Sequence, residues 1–427
     1  MSYRLSLSRA ALLTGCCLAA AVAPVATAAP SAPPADSPAV RADAATALLI
    51  DRFWDTDRRW WRAQDPDDGK TAGYWTAAQA LEAVLDGAAR TDGDPAPRRA
   101  LATRVLEGMI RNRDAGKNWK VGFFDDECWM GVALVRVHTL GLSPRGQALS
   151  RAWDLREDIH DNGWTTNTTG VQGRALGPLR KGVWWDRDHT QFATASNPGA
   201  ALLECRLWAA EGRSGPERRG RGTHVAPPFA REVYANWRES MTDKATSQVF
   251  DHVTTAGAVV KWSFTYNESL MAAVAAQLSV DHRGVRSNLQ GMYEGDAAGY
   301  ARRLLDTKAA RDGVLSDGDA TACTGDCHQF KGAAIRHLAA VRAVLSESTQ
   351  PGRRETARRI GLMIHTSADA AWTLARAPGS GRFGVDWSGP PPAAGTTVTL
   401  AQTSAAVAVL QAAAAIAAEP ARTPALP

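Results

Sequence analysis

One feature limits the fold of this chain more than any other. Segments with helical periodicity follow one another along it, and those apolar on every side alternate with those apolar on one side only. They are read as helices over residues 41–54, 73–90, 97–113, 126–140, 144–159, 189–211, 229–241, 267–281, 294–308, 329–345, 353–374 and 400–418. The fourth, through Cys128, Trp129, Met130 and Val135, is apolar all round. The fifth sets Ala148, Leu149, Ala152, Trp153 and Leu155 inward and Arg145, Arg151, Arg156 and Glu157 outward. Its start reads as Ser143 at the N-cap and Pro144 at the first helical position. The alternating strand runs of a parallel sheet are missing. Fully buried helices alternating with half-exposed ones are what two concentric rings of six produce. The expected fold is therefore all-α, an (α/α)6 toroid or barrel of six helical hairpins in one domain over 41–418.

The connections point the same way. Loops before the odd helices are short or bland. Those before the even helices carry Trp60-Trp61 to Tyr74-Trp75, Trp119 to Asp125-Asp126, Trp164 to Trp184-Trp185-Asp186, Trp262 to Tyr266-Asn267, Cys323 to Phe330-Lys331, and Phe383 to Trp387. In a toroid of antiparallel hairpins these loops leave at one end, so the aromatic and acidic clusters converge on one mouth. A plain helical array with decorated loops is the competing arrangement. Tryptophan is unusually frequent, 15 against 9 Phe and 6 Tyr. Five (Trp54, Trp153, Trp208, Trp237 and Trp372) fall in helix bodies and read as core; the other ten fall at the expected mouth, where indole plates suit flat, hydroxyl-edged ligands.

The ends describe an exported protein. Arg4 and Arg9 precede an apolar stretch over 10–25, and Ala26-Thr27-Ala28 offers a cleavage site, so 1–28 read as a secretory signal. Leu13-Thr14-Gly15-Cys16 is the rival lipoprotein reading, but it leaves too short an apolar segment before the cysteine. Residues 29–40 form a Pro/Ala leader and 419–427 a disordered tail. Cys323 and Cys327, in a Gly/Asp/Thr loop, are expected to form a disulfide; no second ligand pair follows to make them a zinc site. Cys128 and Cys205 read as small core residues. A net charge of +5 without a basic block argues against nucleic acid, and no later run approaches 18 apolar residues without charge, so the mature chain is expected to be soluble. The mature chain is expected to be a secreted monomer free of the membrane, with a polysaccharide as partner and no cofactor or metal.

The sharpest local pattern is Gly122-Phe123-Phe124-Asp125-Asp126-Glu127-Cys128-Trp129. Helix capping accounts for one such aspartate. It does not account for two carboxylates among aromatics at a buried mouth, where repulsion and desolvation are costly. Glycosidic cleavage uses such a pair: one carboxyl holds a proton for the leaving oxygen while the other, ionised, attacks the anomeric carbon. Retaining enzymes place the two about 5–5.5 Å apart. Adjacent residues, with Cα atoms about 3.8 Å apart, reach that separation readily.

Asp125-Asp126 ahead of a Trp-bearing helix resembles the consecutive aspartates of glycoside hydrolase family 76, the endo-α-1,6-mannanases. Gly182-Val183-Trp184-Trp185, Thr265-Tyr266-Asn267, Gln329-Phe330-Lys331-Gly332 and Gln402-Thr403-Ser404-Ala405 resemble the family in the same order. The resemblance implies an (α/α)6 barrel that cleaves α-1,6-mannan by double displacement, with Asp125 as nucleophile and Asp126 as acid/base. It makes Trp184 and Trp185 a sugar platform and extends the expected substrate contacts to Tyr74, Trp75, Asn197, Tyr266, Asn267, Lys331, Trp387 and Gln402. Trp184 and Trp185 also read as a plug of the toroid floor, and Asn267, Lys331 and Gln402 as loop-holding hydrogen bonders. Phe123, Phe124 and Trp129 are expected to dry the site. Two departures stand out: only Asn197 remains of a Lys-Asn-Ala stretch, and Glu268 replaces the usual Gln.

Other chemistries fit less well. Asp317-Gly318-Asp319 lacks the glycine and terminal glutamate of a calcium loop. No zincin, Gly-x-Ser-x-Gly or Walker pattern occurs. A prenyl-diphosphate cyclase needs a further acid about three positions after the pair, where Trp129 and Met130 stand. A transglycosidase, a hydrolase of another α-glycan, and a glycan-binding toroid without catalysis remain as alternatives.

Overall fold

The computed structural model describes residues 36–114, 119–143, 146–166, 177, 179–212, 226–283, 288–309, 311–318 and 323–419. Among them run twelve α-helices: α1 (Pro38–Phe53), α2 (Tyr74–Ala89), α3 (Ala96–Asp114), α4 (Phe124–Thr139), α5 (Gln147–Asp158) and α6 (Asn197–Ala210). They continue with α7 (Pro228–Ser240), α8 (Thr265–Asp281), α9 (Leu289–Lys308), α10 (Cys327–Ser346), α11 (Pro351–Thr373) and α12 (Leu400–Ala417). The even helices close on themselves: α2 packs on α4, α4 on α6, α6 on α8, α8 on α10, α10 on α12, and α12 on α2. Each odd helix packs outside, with α3 on α2, α5 on α4, α7 on α6, α9 on α8, α11 on α10 and α1 on α12. This is the expected (α/α)6 toroid.

The ring explains the alternation of segment types. In α8 every residue from Thr265 to Ala276 is buried, because neighbours surround an inner helix. In α7, an outer helix, only Phe229, Ala230, Val233, Tyr234 and Trp237 are buried, spaced at helical intervals along one stripe. The last inner helix corrects one expectation. Leu400–Ala417 is long and apolar enough by length and hydropathy to cross a membrane, a run the sequence reading passed over. Here it is packed between α10, α2 and α1, and Thr399 and Gln402 close its start as a capping box.

Helix ends differ in two instructive places. α6 begins at Asn197, eight residues later than expected, because Gln191–Ala193 is drawn into a three-stranded sheet with His252–Thr254 and Val259–Val260. α5 is led in by Gly146 in the left-handed region (φ 71°), while Ser143 Oγ accepts the amide of Ala148 at 3.1 Å. Pro144 lies outside the described residues, as do the signal over 1–28 with Cys16 and the tail from 420.

Short antiparallel pairs tie the loops at the N-terminal ends of the inner helices together. Trp164–Thr165 pairs with Gly182–Val183, and Gln64–Asp65 with Val398–Thr399. Cys323 and Cys327 are disulfide-bonded at the start of α10, and Cys128 and Cys205 are free and buried, as expected.

Candidate active site

The acidic run enters α4 two residues further inside the helix than capping requires. Phe123 is the N-cap, extended at φ −121° and ψ 126°, with no side-chain cap. Asp125, Asp126 and Glu127 thus fill the first turn, where free amides and the helix dipole favour carboxylates. Phe124 fixes the entry: its ring is fully buried, and its amide donates to Trp185 O at 2.8 Å. Neighbouring side chains on a helix diverge by about 100°, so three consecutive acids cannot share one face. Asp125 and Asp126 line a cavity. Glu127 turns behind them, where it accepts from Val121 N at 2.8 Å and Arg187 Nη2 at 2.6 Å; Arg187 also donates to Asp158.

That cavity, about 720 Å³, opens at the N-terminal ends of the inner helices. Trp75, Trp129, Trp185 and Trp262 border it, with Phe123, Phe264, Tyr266 and Phe330 between them. Four carboxylates face it: Asp125, Asp126, Asp251 and Asp326. The central two are not equivalent. Asp125 accepts Trp185 Nε1–H on Oδ2 at 3.0 Å and the Asp126 amide on Oδ1 at 3.0 Å. Burial pushes its carboxyl above the ordinary range, and these two donors hold it back. Burial pushes Asp126 up well above that range, and the charges of Asp125, Asp326 and Glu127 push it further. Both carboxyls are raised, and the two donors make Asp125 the one that ionises more readily while Asp126 keeps its proton.

Of the residues singled out by sequence, Trp75, Trp185 and Tyr266 join Asp125 and Asp126 on the cavity wall. Trp75 Nε1 donates to Asp326 Oδ1 at 3.1 Å, and Tyr266 Oη donates to Asp251 Oδ1 at 2.6 Å. The others sit behind this wall. Tyr74 is buried and donates to Trp119 O at 2.8 Å, its ring beneath the Arg113 guanidinium. Trp184 is sandwiched with Phe192 and His189, at ring separations of 3.8 and 4.7 Å. Asn197, fully buried, accepts from Val183 N at 2.7 Å and donates to Val183 O and Ala193 O. Asn267 Nδ2 shares Val249 O, Asp251 Oδ1 and Trp262 O. Lys331 is buried over the Trp387 ring, donates to Val385 O, and is pushed down to about 8 by desolvation. Gln402 caps α12 and donates to Phe383 O at 2.8 Å. Phe124 likewise packs in the core instead of facing the pair.

The tryptophan excess is thus divided differently from the sequence reading. Only four of the ten mouth indoles line the cavity; Trp60, Trp61 and Trp387 are core. Sequence reasoning also missed wall residues. Asp251 had no sequence signal, since only the pairing of 252–254 with 191–193 brings it to the site. Asp326 was legible as the acid inside the Cys323–Cys327 loop. Trp262, 60% exposed at the rim, belonged to the mouth loops but was not picked out as a contact. Among the described residues no cluster of three or more His, Cys, Asp or Glu is arranged to hold a metal ion.

With this geometry in view, the chain matches the family model described as glycosyl hydrolase family 76 over residues 38–424. No curated protein matches it. Solved structures do. One is an inactive double Asp-to-Asn variant of an alpha-1,6-mannanase of Salegentibacter sp. HEL1_6 in complex with alpha-1,6-mannotriose, with 20% identity, 88% of this chain and 99% of that chain covered, and a TM-score of 0.69. A family 76 mannosidase of Bacteroides thetaiotaomicron VPI-5482 is similar at 17% identity, covering 89% and 98%, with a TM-score of 0.67. Dfg5 of Chaetomium thermophilum, in complex with glucosamine, is similar at 17% identity, covering 91% and 93%, with a TM-score of 0.65.

Proposed function

The chain belongs to glycosyl hydrolase family 76 and is a glycoside hydrolase; from that premise we propose that it hydrolyses α-1,6-linked mannan with retention, using Asp125 and Asp126. The observation that carries this reading is the asymmetry of the pair. Asp125, with two donors on its carboxylate, is the nucleophile. Asp126, raised by burial and by like charges, is the acid/base.

In the first step the Asp126 proton passes to the glycosidic oxygen as its bond to the anomeric carbon breaks, and Asp125 bonds to that carbon. In the second, ionised Asp126 takes a proton from water. The water oxygen bonds to the anomeric carbon, and Asp125 leaves as a carboxylate. Trp75, Trp185 and Trp262 offer apolar faces to pyranose rings, and Asp251 and Asp326 accept from sugar hydroxyls. The mannan assignment is supported by the substrate named for the Salegentibacter relative. Export through the signal over residues 1–28 fits a polymer substrate outside the cell.

NMR of the first anomer released from linear α-1,6-mannan tests the mechanism. The α-anomer supports retention, and initial release of the β-anomer overturns it. Failure to cleave α-1,6-mannan while cleaving another α-glycan overturns the substrate.

A further inference from the structure

The lumen of the toroid holds a second cavity, of about 510 Å³, at the end opposite the catalytic mouth. It lies among the C-terminal halves of α2, α4, α6 and α12 and the middle of α10, and reaches solvent at Ala89, Thr139 and Ala415. Trp129 and Ala333 line both cavities and form the partition between them.

Its charges do not cancel. Arg136 donates to Glu82 Oε2 at 2.6 Å and to Asp86 Oδ1 at 2.5 Å. Arg336 takes the other oxygen of Asp86 at 2.8 Å and Gln79 Oε1 at 2.6 Å. Arg90, at the edge, pairs with Asp43 and Asp92. Both cavity carboxylates are thus engaged. Arg206 is left with no ion pair or hydrogen bond to any described residue, and Glu82, whose Oε1 accepts no hydrogen bond, stays beyond 4.0 Å from it. His337, across the cavity, offers no anion. The C-terminal ends of the inner helices favour cations here, which accounts for the arginines. It does not supply an acceptor for this guanidinium, which is half-buried in the wall and is held below the ordinary arginine range by desolvation and by the Arg136 charge.

The remaining wall is mostly apolar, made of Val132, Leu140, Leu202 and alanines from four inner helices, with Thr139 and Gln411 as its polar members. Such a wall suits a hydrocarbon better than a sugar, whose hydroxyls would find few partners. We propose that this cavity binds a monocarboxylate with an aliphatic body, its carboxylate on Arg206 and its chain along the alanine wall. One uncommitted guanidinium matches one carboxylate. The size lies within the range of small-molecule sites.

Calorimetric titration of the full chain with sodium octanoate tests this, with octanol and inorganic phosphate as parallel probes. Octanoate should bind with a submillimolar Kd, and the other two at least about tenfold more weakly. R206Q should weaken octanoate by about tenfold or more. No octanoate binding up to about 10 mM, equal binding by R206Q, or tighter binding of phosphate overturns the proposal. Should R206Q fail to fold, a wild-type crystal soaked in octanoate decides. A carboxylate within hydrogen-bond distance of Arg206 supports the site, and an empty cavity overturns it.

Discussion

The Trp185 indole donates its N–H to Asp125 Oδ2 at 3.0 Å across 60 residues of sequence. This bond joins the most distinctive aromatic motif of the chain to the first of its paired acids. It favours the ionised carboxylate, so its loss has a sign. In Trp185→Phe the Asp125 carboxyl should rise, moving the acidic limb of kcat/KM to higher pH. A hydrogen bond to a charged group is worth about 1.5–3 kcal/mol, or roughly one to two pH units. A pH–rate profile checks this, and an unmoved acidic limb would contradict the role given to Trp185.

Asp326 acts on both limbs, since its charge raises Asp125 as well as Asp126. Asp326→Asn removes that charge and still offers an oxygen to Trp75 Nε1. The basic limb of the profile should then fall by roughly one unit or less. Asp125, Glu127, Asp251 and Tyr266 remain around the pair, so the shift is partial. A basic limb that stays put or moves upward would refute it.

Removing either acid of the proposed pair should trade activity for stability. Asp125→Asn and Asp126→Asn should each abolish α-1,6-mannan cleavage while the far-ultraviolet CD spectrum is kept. The folded protein holds the Asp126 carboxyl above its unfolded value. Its favourable contribution is therefore present below the unfolded value and lost as pH rises through the folded one. Asp126→Asn should match the wild type in Tm near pH 4 and exceed it by a few degrees at pH 8. Calorimetry at the two pH values measures the difference.

Asn197 tests the support behind Trp185. Its amide satisfies both backbone groups of Val183 and reaches Ala193 O. Asn197→Ala leaves the buried Val183 amide unpaired, while Ser196 Oγ still donates to Val183 O and Ala193 O, and should cost about 1–3 kcal/mol. Urea unfolding gives the cost, and a midpoint equal to wild type would rule out the clamp.

Gly332 marks where two inner helices touch. A Cβ there would stand 2.6 Å from Ala405 Cα, a backbone atom that cannot swing aside. Nearby, Ser404 Oγ donates to Gln329 Oε1 at 2.6 Å. The two motifs read as family marks in α10 and α12 are thus a helix contact. Gly332→Ala should lose about 1–3 kcal/mol of stability and leave the pH profile unchanged. Thermal unfolding beside a pH–rate profile separates the two effects.

By itself the sequence determined the twelve helices, their division into inner and outer rings, the end that carries the mouth, the Cys323–Cys327 pairing and the acids on α4. All of these follow from local periodicity, from which faces are apolar, or from short spacing along the chain. Only the tertiary structure decided which aromatic and polar side chains reach the cavity. Trp184 and Trp185 are neighbours, yet one is stacked in the core and the other holds Asp125, because successive residues of an extended segment point to opposite sides. Asn197 and Lys331 read as sugar contacts because a polar side chain near a mouth serves either a ligand or a loop. Which it serves depends on backbone groups far away in sequence, such as Val183 and Val385. The same distance hid Asp251, which reaches the site through strand pairing that no periodicity announces, and Arg206, whose lack of a partner is defined only once the other inner helices surround it.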